Sequence, residues 1–300
     1  MPPVRIGTVD LPDRLERERY FRELSYLELS ALYAGPLKAA ALAKWTAPSS
    51  PGAAANAPGE PDDEAVDPNE DDAGAGAGDE AVASDDAEDD AEAAEDDDAP
   101  TRSIGLVAPW VLTQRQPPKA ARLWHHDATV GDFRDSVHGR SALVAFRQAV
   151  TAITASHVIF RSPALFAPSL ANRDRLKQFF AEVATEATVG ATRVWVPDGL
   201  WEPRAAVTFA TELGVVCAID PLVYDPATPH EVYEDLAAPA LYFRIGGLGR
   251  AGAIRAEKLE DLAALVEHYQ DQDIDLTIAF ASPARWTDAR NFKKLLESAD

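Results

Sequence analysis

Short runs of β-branched and aromatic residues recur along this chain, separated by stretches whose apolar positions repeat at helical spacing. The runs that read as strands are Val4–Val9, Tyr26–Ser30, Ile104–Thr113, His157–Arg161, Thr192–Val196, Val215–Asp220, Leu241–Ile245 and Leu276–Ala281. The stretches that read as helices are Leu15–Leu24, Pro36–Trp45, Ser141–Ala155, Asn172–Thr185, Pro203–Leu213, His230–Leu236, Glu257–Asp271 and Ala284–Ser298. In the seventh of these, Leu259, Leu262, Leu265, Val266 and Tyr269 share one helical face. Strict alternation of strand and helix predicts a parallel sheet with crossover helices. Eight repeats in one body favour a TIM-like (β/α)8 barrel over an open doubly wound sheet, which has the same periodicity.

The periodic pattern stops between residues 49 and 100, a stretch without Phe, Trp, Tyr, Ile or Leu. Such a segment cannot bury enough apolar surface to offset its ordering entropy, so disorder is expected there. Residues 1–48 and 101–300 are then a single barrel of about the usual size for that fold. The insertion falls between the second helix and the third strand. In a barrel that is the face opposite the usual active site.

Charge follows the same division. The 300-residue chain has 28 Lys+Arg and 50 Asp+Glu, a formal net of −22. Residues 51–100 hold 20 of those acids and no Lys or Arg, which leaves the rest at −2. Positive charge is nowhere concentrated, which argues against nucleic acid. The acidic stretch is either a plain solvated insertion or an electrostatic contact for a basic protein partner or for divalent cations. Cys217 is the sole cysteine and sits in an apolar run, so it reads as a small hydrophobe. No disulfide, structural zinc, signal peptide or membrane-spanning run is expected, and the reading is of a cytoplasmic protein.

Barrel enzymes place their chemistry at strand C-termini. Glu28 lies within an apolar strand, where a carboxylate must be paired or face the barrel mouth. Asp220 ends the sixth strand and Arg244 is near the end of the seventh. A Glu28–Arg244 ion pair, or an anionic small molecule on Arg244, would satisfy these constraints, and an ion pair that merely fills the barrel satisfies them too. Glu28, Asp220 and Arg244 are therefore the catalytic candidates. After the seventh strand, Gly246-Gly247-Leu248-Gly249-Arg250-Ala251-Gly252 contains G-x-G-x-x-G. Only one strand follows, so a dinucleotide domain does not fit. A phosphate loop built on Gly247, Gly249 and Arg250 remains, beside the plainer reading of a flexible loop. The histidines lack metal-ligand spacing, no G-x-S-x-G elbow occurs, and no cofactor is implied.

Several segments resemble the YecE-like family, catalogued as domain of unknown function 72. Arg5-Ile6-Gly7-Thr8 resembles its opening, and Tyr20-Phe21 with Tyr26-Leu27-Glu28-Leu29-Ser30-Ala31-Leu32-Tyr33-Ala34-Gly35-Pro36 and Trp45 resembles its V-E-x-N-x-T-F-Y-x-x-P segment and following Trp. Ala108-Pro109-Trp110-Val111-Leu112-Thr113 is similar to K-x-P-x-x-I-T-H, and Tyr242-Phe243-Arg244-Ile245-Gly246-Gly247 to Y-x-R-x-H-G. The resemblance implies a TIM-like barrel of unestablished activity. It adds Tyr33, Thr113 and Trp201 to Arg244 as ligand-binding candidates of retained type. It also exposes departures: Val107 stands at the family's Lys and Gln114 at its His. Gly246 stands at a second His, and Ala281-Ser282 at paired Asn. Of the family's E-x-R-H-x-S-W, only Trp201 is kept. Two functions are compatible with this pattern. One is a degenerate barrel acting in binding or interaction. The other is an enzyme acting on a small phosphorylated or carboxylated metabolite at the barrel mouth.

Overall fold

The computed structural model describes residues 4–46, 102–119, 124–197, 200–223, 233–247 and 252–298. The acidic stretch and Gly249 and Arg250 lie outside the described residues. Eight strands close into a parallel barrel in sequence order. They are β1 (Arg5–Val9), β2 (Tyr26–Leu29), β3 (Ser103–Val107), β4 (His157–Arg161), β5 (Thr192–Val196), β6 (Val216–Ile219), β7 (Ala240–Ile245) and β8 (Asp275–Phe280). The ring closes where Gly7 of β1 pairs with Ala279 of β8.

Side chains alternate across this wall. Leu27 and Leu29 of β2 and Leu241, Phe243 and Ile245 of β7 join the outer core against the helices. Their neighbours Tyr26 and Tyr242 turn inward and join Val107, Ile159, Val194, Ala218 and Ala279 in the barrel interior. This is a filled core and not a pore.

The outer layer comprises α1 (Arg17–Glu23), α2 (Ala31–Ala34), α3 (Ala39–Thr46), α4 (Trp110–Thr113), α5 (Val137–Ile153), α6 (Leu170–Gln178), α7 (Glu186–Val189), α8 (Pro203–Glu212), α9 (Ala256–Gln270) and α10 (Arg285–Glu297). Local sequence sets several starts. Ser136 accepts from the Gly139 N–H, Ser169 from Asn172 and Thr185 from Thr188, each satisfying a donor the helix leaves open.

Three expectations need correction. The third strand does not run to Thr113. It ends at Val107, and Trp110–Thr113 is the helical turn α4. Pro109 is the reason: it has no N–H for the ladder, and its carbonyl instead accepts from Leu112. The helix expected over Asn172–Thr185 breaks into α6, a wide π-type turn at Phe179–Val183, and a Thr185 cap for α7. The wide turn accompanies burial of two consecutive phenylalanines, Phe179 and Phe180, among Phe133 and Phe160. Of the helix expected over His230–Leu236, the described residues Tyr233–Leu236 form a turn and not a helix.

Candidate functional site

The inward face of β2 places Tyr26 and Glu28 opposite the inward face of β7, which carries Tyr242 and Arg244. Glu28 is completely buried. Its Oε2 accepts from the Tyr242 hydroxyl at 2.7 Å, and Arg244 Nε lies 3.2 Å from both carboxylate oxygens. The Tyr26 hydroxyl is 3.2 Å from that of Tyr242. Burial pushes both tyrosines well above their ordinary pKa, and the Glu28 charge adds to the effect. They are therefore neutral hydroxyls, and the single Tyr242 proton serves Glu28 at 2.7 Å in preference to Tyr26 at 3.2 Å. Burial opposes the Arg244 charge, but Glu28 beside it more than offsets this and raises its pKa. A buried carboxylate is tolerable here because an arginine and a phenol satisfy it.

Below this chain, His157 packs edge-on against Tyr26 and Tyr242, with ring centroids 5.6 and 6.0 Å away. Burial, and then repulsion from Arg5, lowers its pKa to about 4, with Asp275 acting in the opposite sense. Ser156 Oγ sits 2.8 Å from its Nδ1.

Above the chain, Arg244 and Asp220 line one cleft of about 250 Å³ with Val196, Pro197, Trp201 and Val223. Asp220 accepts the Gly246 N–H at 2.7 Å on Oδ2 and the Leu222 N–H at 3.1 Å on Oδ1. Burial raises its pKa against the opposing pull of those amides and of Arg244. The expected trio thus divides. Glu28 and Arg244 are bonded, Asp220 shares the cleft with Arg244, and Glu28 lies beneath without lining it.

The remaining candidates occupy different places. Trp201 walls the cleft, donates its indole N–H to the Phe166 carbonyl at 2.7 Å and lies along Phe209. Tyr33, on α2, is half-buried, lies under the Arg161 guanidinium at 5.8 Å, and has its pKa raised by burial. Thr113 is buried in α4, where its carbonyl accepts from the Asp132 N–H at 2.9 Å; it lines none of the described clefts. Gly247 has φ +74°, and a Cβ there would meet Ser282 Cβ at 2.9 Å, so glycine is required by both conformation and space.

Two features of the mouth escaped the sequence reading. Asp10, just after β1, has φ 57° and receives the Ser30 N–H at 2.7 Å and the Ser30 hydroxyl at 2.5 Å. The paired inward tyrosines were legible in principle, since Tyr26-x-Glu28 and Tyr242-x-Arg244 repeat at the two-residue strand period. Among the described residues, no group of three or more His, Cys, Asp or Glu side chains is placed to hold a metal, and no helix is long and apolar enough to cross a membrane.

No protein-family model matches the sequence, and no curated protein is detectably similar to it. Solved structures do match in fold. A DUF72 family protein of Thermotoga maritima aligns over 98% of this chain and 99% of its own, at 12% identity and a TM-score of 0.52. A DUF72 family protein of Enterococcus faecalis aligns over 99% and 98%, at 13% identity and a TM-score of 0.57. This chain is similar in fold to those DUF72 proteins, and its described residues form a closed (β/α)8 barrel.

Proposed function

We propose that this chain is a divergent DUF72-type barrel whose mouth binds a small carboxylate that also carries a hydroxyl or ammonium donor. One observation carries the reading. Arg244 engages Glu28 through Nε, and its two terminal nitrogens make no hydrogen bond among the described residues, while it lines the same cleft as Asp220. A guanidinium takes a carboxylate through a pair of N–H groups. Each Asp220 oxygen accepts one backbone amide and keeps a lone pair for a ligand donor. The rest of the wall is largely apolar, as small-molecule sites commonly are.

Binding is favoured over turnover by what occupies the positions of the family's Lys, His and Asn residues. Val107 is packed in the barrel interior. Gln114 spends its amide on the Arg161 carbonyl at 3.1 Å, and Gly246 gives its N–H to Asp220. The Ser282 hydroxyl is bonded to Asp288 at 2.5 Å. These residues serve the structure and hold no proton that titrates near neutrality. A second reading, turnover, rests on Asp220 alone, because a carboxyl of raised pKa in a cleft is suited to general acid–base work.

The test is a thermal-shift panel of small hydroxy- and amino-carboxylates. Saturating ligand should raise Tm by about 5 °C or more, and Arg244→Ala should abolish the rise. Absence of a shift across the panel, or a shift that survives in Arg244→Ala, rejects the reading. Turnover would show as conversion lost in Asp220→Asn with ligand binding retained.

A further inference from the structure

A second concave site lies between the segments that follow β3 and β4, and shares no lining residue with the Arg244 cleft. It has a volume of about 470 Å³, and its polar walls include Gln114, Arg115, Asp132, Asn172 and Arg175. Asp132 organises it. One oxygen, Oδ2, receives Arg115 Nε, lies 3.4 Å from an Arg134 nitrogen and 3.9 Å from an Arg175 nitrogen. The Asp132 side chain is only 9% exposed, whereas those of Arg115, Arg134 and Arg175 are 63, 33 and 31% exposed. The negative group is thus turned in and the positive groups out.

Three guanidiniums around one carboxylate leave two positive charges uncompensated. The nearby acids do not cancel them. Asp135 is held by Arg140 at 2.6 Å, and Asp127 by Thr129 and His138. Arg175 also donates to Asn172 Oδ1 at 3.4 Å and Arg134 to the Ala128 carbonyl at 3.5 Å, contacts long enough to yield to a stronger acceptor. Such a surplus of oriented N–H donors suits a dianion with several acceptor oxygens.

The backbone here is also costly. Asp132, Phe133 and Leu165 all adopt left-handed conformations, with φ of 52, 57 and 63°. Asp132 and Leu165 line the site, and Phe133 packs on Phe166 of its wall. Non-glycine residues held so persist where the surroundings over-determine them, and they concentrate at ligand sites. Leu165 is 82% exposed beside Pro163 and Phe166, an apolar wall next to the arginines.

We infer that this site binds a phosphate monoester, with Arg115 and Arg175, which line it, holding the phosphoryl group, Arg134 adding positive charge from beside Asp132, and Pro163, Leu165 and Phe166 receiving an apolar ester group. Asp132 is a positioning residue that fixes the three guanidiniums. The site is independent of the Arg244 cleft.

The experiment is calorimetric titration of the full chain with inorganic phosphate, phenyl phosphate and benzoate. Both phosphates should bind saturably, phenyl phosphate more tightly, and benzoate at least tenfold more weakly than phenyl phosphate. Arg175→Gln and the more exposed Arg115→Gln should each weaken both phosphates by about tenfold, the loss expected for one charge-assisted contact. Leu165→Ala should weaken phenyl phosphate alone, and Arg244→Ala should leave the binding of both phosphates unchanged. Circular dichroism establishes that each variant is folded, and Arg115→Gln carries the test if Arg175→Gln is not. No saturable phosphate binding, benzoate binding as tight as phenyl phosphate in Arg244→Ala, or loss of phosphate binding in Arg244→Ala with retention in Arg115→Gln would each overturn the assignment. The last outcome would place phosphate in the other cleft, so failure here is separable from failure of the carboxylate reading.

Discussion

Glu28 and His157 meet the same difficulty in opposite ways. Glu28 stays acceptable inside the barrel because Tyr242 and Arg244 supply donors to both of its oxygens. His157 has aromatic neighbours and, among the described residues, no carboxylate within bonding distance, so burial favours its neutral form. The consequence for stability has a definite sign. The folded pKa is about 4 against an ordinary 6.5, so between these values the unfolded chain binds the extra proton. The stabilising contribution is complete above pH 6.5 and is lost as pH falls toward 4. Its size is about 3 kcal/mol. Urea unfolding at pH 7 and pH 4 should therefore show a smaller acid loss, by roughly that amount, for His157→Asn than for the native chain. Parallel acid losses would mean that the ring titrates normally.

At the scale of elements, the two inward tyrosines dictate what the neighbouring strands can carry. Gly105 of β3 sits against Tyr26, and a Cβ there would come within 1.9 Å of the Tyr26 hydroxyl and 2.9 Å of Ile159 Cδ1. Gly105→Ala should cost about 1–3 kcal/mol by overpacking, measured by chemical denaturation. A neutral result would mean that the Tyr26 ring can withdraw. All eight strands were legible because burial on both faces of a parallel sheet gives compact apolar, β-branched runs between amphipathic helices. The exceptions are instructive. Ile104–Thr113 has no polar side chain before Thr113, so period could not reveal the turn into α4, though Pro109 carried the signal. The π-type turn had no signal beyond the adjacent Phe179 and Phe180, since its width follows from what they pack against.

For the whole molecule, charge and fold are legible to different degrees. Residues 51–100 carry 20 acids and no Lys or Arg within a total of −22, so any long-range attraction for polycations is expected of that stretch. Polylysine should bind the full chain at low salt, release it as salt rises, and fail to bind a chain lacking residues 51–100. Retained binding by the shortened chain would assign the attraction to the barrel. The Glu28–Arg244 pairing could be anticipated because both sit near strand ends in short motifs. The Arg115–Arg134–Arg175 cluster could not, because three separate segments bring it together around Asp132 and nothing in their spacing announces the meeting.

Closure of the strands on themselves also limits how other macromolecules can recognise this body. A ring has no terminal strand with unpaired amides and carbonyls, so another chain cannot extend the sheet by adding a strand of its own. Recognition must be written in side chains on the loops and outer helices. Partner choice can then change by a few substitutions there while the backbone hydrogen bonds of the wall stay intact.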